Sequence, residues 1–399
     1  MSERLSLVIV GAGPVGLFTA HQLVHAGHPV TVLEQNPTLS EDMRASTFHP
    51  ATLDLLDEYD LTQALIEQGT LARKWQYWIH GTDERAVYDL SVIADLTAHP
   101  YRLQCEQFRL TRLIAERLAG NPLFSLHYDT AVTGMRETGD AVEVTASKGG
   151  QESLSFSTPW LIAADGGKST VRKLLKLPFE GSVFPKTSIT MVLDHPFQDD
   201  VAGLLPVNYV WTDHGHYSLM QIRDLWRFTY SPKQDQSVAD ALSEPVAQTH
   251  LQAVFPRSEP YRILQANYYT LQERCLESFR VGRTLFVGDS AHLNSPAGGM
   301  GMNSGLHDAR CLAEHLLPVL AGAREDTLDR YDRRRRTIAR EEVQRLSARN
   351  YRRHRETDPK KRELIWREIK ATVADRAHMR EALLDSSMIA SRRRELEIQ

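Results

Sequence analysis

Leu5-Ser-Leu-Val-Ile-Val10 is a near-continuous apolar run, the pattern of a strand buried on both faces of a parallel sheet. Gly11-Ala-Gly13-Pro-Val-Gly16 follows at once, then a helical pattern from Leu17 to Ala26 that Gly27 closes as a C-terminal cap. A second apolar strand, Pro29-Val-Thr-Val-Leu33, ends at Glu34. Two further apolar runs end in glycine-rich turns: Trp160–Ala164 into Asp165-Gly166-Gly167, with a short helix opening near Ser169, and Thr284–Val287 into Gly288-Asp289, with a helix beginning near Gly301. Between them, Thr187–Asp194, Val207–Trp211, His216–Ile222 and Leu225–Tyr230 alternate in hydrophobicity and are separated by turn residues, which predicts antiparallel hairpins. After Asp326 the pattern becomes helical and rich in arginine: Arg333–Arg336, Arg352-Arg353, Lys360–Arg362 and Arg392–Arg394. Interleaved Glu and Asp suggest the solvated faces of amphipathic helices, with an oligomer contact or an anionic nucleotide as the other readings.

These elements predict an α/β protein: a Rossmann-type nucleotide-binding domain, an inserted antiparallel β-sheet domain for substrate, and a C-terminal helical segment. The nucleotide domain is discontinuous (residues 1–76, 100–178 and 275–325), the sheet domain takes 77–99 and 179–274, and the helices take 326–399. The 399 residues give room for two to three domains.

A net charge of -4 removes the global cationic field that nucleic-acid binding uses. Three widely spaced cysteines, Cys105, Cys275 and Cys311, fit neither a disulfide framework nor a metal site, and read as buried thiols of a reducing cytosol. No apolar stretch approaches the roughly 20 residues that cross a bilayer, and the N-terminal run leads into a glycine turn, not a cleavage site. The expectation is a cytoplasmic protein with no membrane, nucleic-acid or metal partner; a homodimer is left open.

The first motif has a chemical purpose at each position. Gly11 permits the tight turn, Gly13 lets backbone approach a pyrophosphate, and Gly16 lets helix and strand pack closely. The helix N-terminus offers unpaired N–H groups to phosphates. Glu34, at the second strand's tip, suits an adenosine ribose and would repel a 2′-phosphate. The motif favours FAD or NAD over NADP without separating the first two.

The three motifs, in this order and spacing, resemble the para-hydroxybenzoate hydroxylase family of class A flavoprotein monooxygenases over about the first 325 residues. The resemblance implies bound FAD. It places Asp289, after Gly288, at the ribityl chain, and gives Asp165, Gly166 and Arg172 to FAD and the incoming nicotinamide nucleotide. It sets Arg44 at the pyrophosphate, Gln107 at the ribityl, and Pro296 at the border of the substrate. For Arg44 a surface arginine, for Gln107 an ordinary helix start and for Pro296 a plain loop proline are the alternative readings. Reduced flavin is anionic along one edge, and a helix N-terminus carrying the Gly301, Met302 and Asn303 amides is a suitable anion site. Gly299 and Gly301 let backbone come close to a flat ring.

Only one complete strand–GxGxxG–helix unit is present, so NADH or NADPH is expected to bind transiently on the FAD domain. The implied reaction is hydroxylation of a small phenolic or heteroaromatic ring with NAD(P)H and O2 through a flavin C4a-hydroperoxide. The alternative is a flavoprotein of the same fold that epoxidises or oxidises a non-aromatic substrate. Of the aromatic and polar side chains Tyr209, Trp211, His214, His216, Tyr217, Trp226 and Tyr230, period two sends about half toward a pocket and does not say which half. No side chain is singled out as the catalytic acid or base; His49 and His292 are the nearest candidates, each more simply structural.

Overall fold

The apolar N-terminal run becomes Leu7–Val10, an inner strand of a six-stranded sheet. The order across that sheet is Arg280–Val281, Thr284–Phe286, Leu161–Ala163, Leu7–Val10, Val30–Leu33, Phe124–His127. All pairs are parallel except the terminal one between Arg280–Val281 and Thr284–Phe286. Each residue of Leu7–Val10, Val30–Leu33, Leu161–Ala163 and Thr284–Phe286 is buried, which is why these runs are apolar apart from Thr31 and Thr284. The helices Pro14–His25, Gln107–Leu118 and Met300–Leu320 pack together in the same core. An antiparallel meander, Thr130–Thr138, Ala141–Lys148 and Glu152–Thr158, joins it through Val132, Val142 and Val144. The computed structural model describes residues 6–43, 45–184, 187–213, 215–232 and 236–399.

The hairpin block forms a seven-stranded sheet in the order Ile263–Tyr269, Ser188–Leu193, Leu225–Tyr230, Gly215–Ile222, Val207–Thr212, Lys74–Ile79, Arg85–Asp89. Its pairs are antiparallel except Val207–Thr212 with Lys74–Ile79, strands that come from separate passes of the chain. Alternation assigns the two faces. Met191, Tyr217, Leu219, Trp226, Phe228 and Tyr230 pack in one apolar cluster with Ala241, Ala247 and Leu251 of the helices Val238–Leu242 and Glu244–Val254. The residues between them point to the opposite face, toward the nucleotide domain.

The C-terminal segment departs from the solvated picture. The helices Thr327–Ile338 and Arg345–Arg355 run through a short π-helical stretch, Ala339–Gln344, and are followed by Pro359–Ala374, Arg376–Ser386 and Ile389–Glu397. Arg335 is buried: its Nε donates to Asp308 Oδ1 at 2.6 Å and its Nη1 to Glu395 Oε2 at 2.6 Å. Trp366 and Ile369 pack against the seven-stranded sheet beside Trp211. Interleaved charges made these helices look solvated; in the fold many of those charges pair with partners far away in sequence. Among the described residues no helix is long and apolar enough to cross a membrane.

Candidate active site

The glycine turn is built by exclusion. Gly11 has φ +102°, and a Cβ there would stand 2.5 Å from the Ala164 carbonyl oxygen. A Cβ on Gly16 would stand 2.1 Å from the Gly11 carbonyl oxygen, so helix and strand touch only because both residues lack side chains. Gly13 differs: nothing lies within 4 Å of a Cβ placed on it, and it lines a large cavity. Glu34 is buried beneath this turn. Its Oε2 accepts from the Ala12 N–H at 2.8 Å and its Oε1 from the Asn36 backbone and side-chain amides at 2.9 and 2.6 Å. It braces the turn and does not line the cavity.

The Gly-Asp turn is held from behind. Gly288 has φ +61° and donates its N–H to Asp308 Oδ2 at 3.0 Å, while Val287 and Asp289 line the cavity. Asp308 also accepts from His292 Nε2 at 2.8 Å, and with Arg335 at its other oxygen its carboxyl is held well below the usual range. Asp165 is not in the cavity wall; Gly166 is. The Asp165 Oδ2 accepts the Thr170 and Val171 N–H groups at 2.7 and 3.1 Å, and burial pushes its carboxyl up. Arg172 links this turn to the Gly-Asp turn, donating to the Gly167 and Ser290 carbonyls at 2.6 and 2.9 Å.

Gly299 sits in the left-handed region at φ +69° and starts the helix Met300–Leu320, whose N-terminus has no side-chain cap. Pro296, Gly299, Met300, Gly301 and Met302 all line the cavity, so free N–H groups and the positive dipole end of a 21-residue helix face it. Asn303 does not reach it. Its Nδ2 donates to the Thr47 and Gly299 carbonyls, both at 2.7 Å, and its Oδ1 accepts the His49 N–H at 2.9 Å, which clamps the turn in place. Gln107 opens its helix with its N–H on the Ala45 carbonyl at 2.9 Å and lines the cavity. Arg44 and His214 lie outside the described residues.

Neither loop histidine lines the cavity. His49 is fully buried with Nε2 on the Gly298 carbonyl at 2.8 Å, and burial, helped by Arg102, pushes its pKa down to about 3. His292 is locked to buried Asp308 and is absent from the cavity wall.

The cavity has a volume of about 570 Å³ and runs without interruption from Gly13 to the inner face of the seven-stranded sheet. Tyr209 and His216 face it, as do Thr190, Ser218 and Thr229; Tyr217, Trp226 and Tyr230 face away. Trp211 shares the Tyr209 face but lies past the cavity, donating Nε1–H to the His354 carbonyl at 2.9 Å. Three contributions were not anticipated from sequence. Half-buried Arg227 projects from the sheet and donates to the Ser46 hydroxyl, and Arg102 stacks over Trp75 at 4.5 Å. The helix Arg345–Arg355 closes the third side with Arg349, Asn350, Tyr351, Arg353, His354 and Arg355. Tyr351 and His354 inside an arginine run were the one available signal, since neither suits a fully solvated face.

A space that a Gly13 side chain would fill, an uncapped helix N-terminus and a carboxylate at Asp289, all on one cavity, fit the phosphates, flavin edge and ribityl hydroxyls of FAD. Comparison with known proteins agrees. The FAD-binding domain family matches residues 4–346. A para-nitrophenol 4-monooxygenase from a Pseudomonas species (strain WBC-3) is 33% identical over 395 residues, covering 97% of this chain and 96% of its own. A 6-hydroxy-3-succinoylpyridine 3-monooxygenase from Pseudomonas putida is 29% identical over 353 residues, covering 85% and 86%. The crystal structure of a p-nitrophenol 4-monooxygenase from Pseudomonas putida DLL-E4 superposes with a TM-score of 0.90 at 30% identity, over 96% of this chain and 98% of that one. By motif, fold and relatives together, the chain belongs to the FAD-binding family of class A flavoprotein aromatic monooxygenases and is an FAD-dependent monooxygenase.

Proposed function

We propose that this enzyme hydroxylates a small phenolic or heteroaromatic ring, taking electrons from NADH or NADPH and the oxygen atom from O2. The observation that carries the reading is the single cavity that joins the nucleotide cradle to a sheet face bearing aromatic and hydroxyl side chains. Both the nucleotide cradle and the aromatic sheet face lie in the wall of this one cavity of about 570 Å³.

When bound, FAD supplies the two-electron relay and the activation of oxygen. The chain's residues do the rest. Gly11, Gly13 and Gly16 admit the pyrophosphate, with Arg44 as its cation; Glu34, through Ala12, holds that turn. Asp289 and Gln107 hold the ribityl chain. Gly288 and Asp165 set the two turns around it, and Pro296, Gly299, Gly301 and Met302, clamped by Asn303, would hold the ring system. The sheet face would orient the substrate: the Thr190 and Thr229 hydroxyls, 2.8 Å apart, and Tyr209 present polar atoms to the cavity. We assign residues 1–76, 100–178 and 275–325 to FAD and 77–99 and 179–274 to substrate, with the 326–399 segment adding a wall to the cavity. A reducing, NAD(P)H-rich cytoplasm suits three buried thiols.

The test is stoichiometry. Purified protein with FAD is given NADH or NADPH, oxygen and a panel of phenols and hydroxypyridines, and nucleotide oxidised is compared with ring hydroxylated. Near-equal amounts for at least one ring support the reading. Hydrogen peroxide as the only oxygen product for every ring overturns it.

A further inference from the structure

The helix Arg345–Arg355 gives the cavity a charge that the nucleotide motifs do not account for. Among the described residues lining it are five arginines, Arg102, Arg227, Arg349, Arg353 and Arg355, and one carboxylate, Asp289. Three of the five are engaged locally. Arg102 stacks on Trp75, Arg227 has Asp42 and Glu106 in its surroundings, and Arg355 donates to Ser188 Oγ at 2.6 Å and to the Thr187 carbonyl at 3.2 Å. Arg349 and Arg353 stand one helical turn apart and are only loosely matched. Their nearest carboxylates, Asp385 and Glu368, are at 3.9 and 4.0 Å, and the Glu368 side chain is 70% exposed. The Arg349 Nε is buried without a hydrogen-bond partner.

Toward the cavity, the same two guanidinium groups meet aromatic side chains. Both guanidinium groups lie close enough to the Tyr77 and Tyr88 hydroxyls to act on them electrostatically. Burial pushes the Tyr77 phenol up to about 12, so it stays protonated and cannot neutralise them. Trp75 stacks on Tyr88 with centroids 4.0 Å apart, and Tyr209 stands 5.4 Å from Tyr77. The helix spans the gap between the two domains' contributions. Asn350 abuts Gly298 of the glycine turn, where a Cβ would meet its Nδ2 at 2.7 Å, and the His354 ring packs on His216 with centroids 4.6 Å apart.

We propose that Arg349 and Arg353 form a recognition subsite for a planar two-oxygen substituent, carboxylate or nitro, on the aromatic substrate. This rests on the hydroxylase reading above and adds its specificity. A guanidinium presents paired N–H donors in the geometry that such a group accepts, and the flanking aromatic side chains suit the ring that carries it. Nucleotide phosphates fit the subsite less well, because the surrounding wall is aromatic.

The test measures binding to the FAD-loaded enzyme by quenching of tryptophan fluorescence, using 4-hydroxybenzoate, 4-nitrophenol, 4-hydroxybenzamide and phenol. The expected result is at least about tenfold tighter binding of the benzoate or the nitrophenol than of the benzamide and phenol. Which of the two leads tells carboxylate from nitro. In Arg349→Met and Arg353→Met that preference collapses to within about twofold, phenol affinity and FAD content stay as in the parent, and Arg353→Lys retains part of it. Equal affinity for all four ligands in the parent enzyme overturns the subsite. So does a loss in the variants that falls on the KM for NAD(P)H and not on the ring. Tight, arginine-dependent binding of the benzoate with no hydroxylation of any ring leaves the subsite standing and overturns the hydroxylase reading instead.

Discussion

Gly13 and Gly16 lie three residues apart and face opposite constraints, which separates folding from cofactor binding. Gly16→Val forces a side chain into the Gly11 carbonyl, and overpacking of this kind costs about 1–3 kcal/mol or more. Gly13→Val meets no protein atom and instead fills the cradle. We expect Gly13→Val to melt within a few degrees of the parent apoprotein, about 1 kcal/mol or less in stability, yet to leave purification colourless. Gly16→Val is expected to lose folded protein altogether. Equal FAD content in Gly13→Val and the parent would contradict the cradle assignment. A second residue-scale prediction concerns the thiols. Cys105, Cys275 and Cys311 are buried, with burial pushing Cys105 up to about 12, so a disulfide reagent should titrate no thiol in the native protein and all three after denaturation. The glycine roles were legible in sequence because each is fixed within a few residues of chain. The Arg335–Asp308–Glu395 cluster was not, because its members lie 27 and 60 positions apart and each alone resembles a surface charge.

At the level of elements, the strand Leu225–Tyr230 divides stability from specificity residue by residue. Phe228 is buried in the apolar cluster behind the sheet, and its truncation to alanine should cost about 3–5 kcal/mol, read as a lower urea midpoint. Thr229 faces the cavity and bonds Thr190; Thr229→Val should change stability by about 1 kcal/mol or less while raising the KM for the ring substrate. If Phe228→Ala moved the substrate KM and Thr229→Val only the melting point, the facing of this strand would be wrong. Alternation made the four hairpin strands between residues 187 and 230 legible; residues 77–99 were expected in the same sheet, but the strands Lys74–Ile79 and Arg85–Asp89 were not delimited and the first of them begins before residue 77. It could not say which aromatic residues face inward, since Tyr209 and Tyr217 both pack among rings and differ in which neighbours the sheet gives them. The helix Arg345–Arg355 was the element most poorly foreseen. Its cavity-facing side is itself cationic, so a search for an apolar stripe finds little.

For the whole molecule, the buried charges join the C-terminal helices to the flavin-bearing turns, and acid should expose this. His49 is held neutral with its pKa down to about 3, below the 6.5 of an exposed imidazole. The unfolded chain therefore binds more protons than the native one across that interval, so stability is complete above pH 6.5 and declines as pH falls toward 3. One such group removes at most about 1.4 kcal/mol per pH unit. Asp308, held below the usual carboxylate range, adds its loss only once pH drops under about 4. Urea midpoints should fall steadily between about pH 6.5 and pH 4.5; a flat profile would mean that His49 charges inside the fold. Removal of the last helix, Ile389–Glu397, carries the same logic to the long-range contact it makes. Glu395 is fully buried against Arg335, which in turn holds the Asp308 that fixes Gly288 beside Asp289. Truncation after Ser387 removes one of the two carboxylates that hold a buried guanidinium and leaves Arg335 with Asp308 alone, a loss bounded by the roughly 3–5 kcal/mol that breaking a buried pair costs, before lost packing is added. Glu395→Gln keeps an acceptor for Arg335 and lacks only the charge, so it should remain folded with a lowered midpoint and weakened FAD retention. A truncated chain that binds FAD as firmly as the parent would show that the turn holds its shape without the tail, and that the cluster is a stability device with no part in forming the cofactor site.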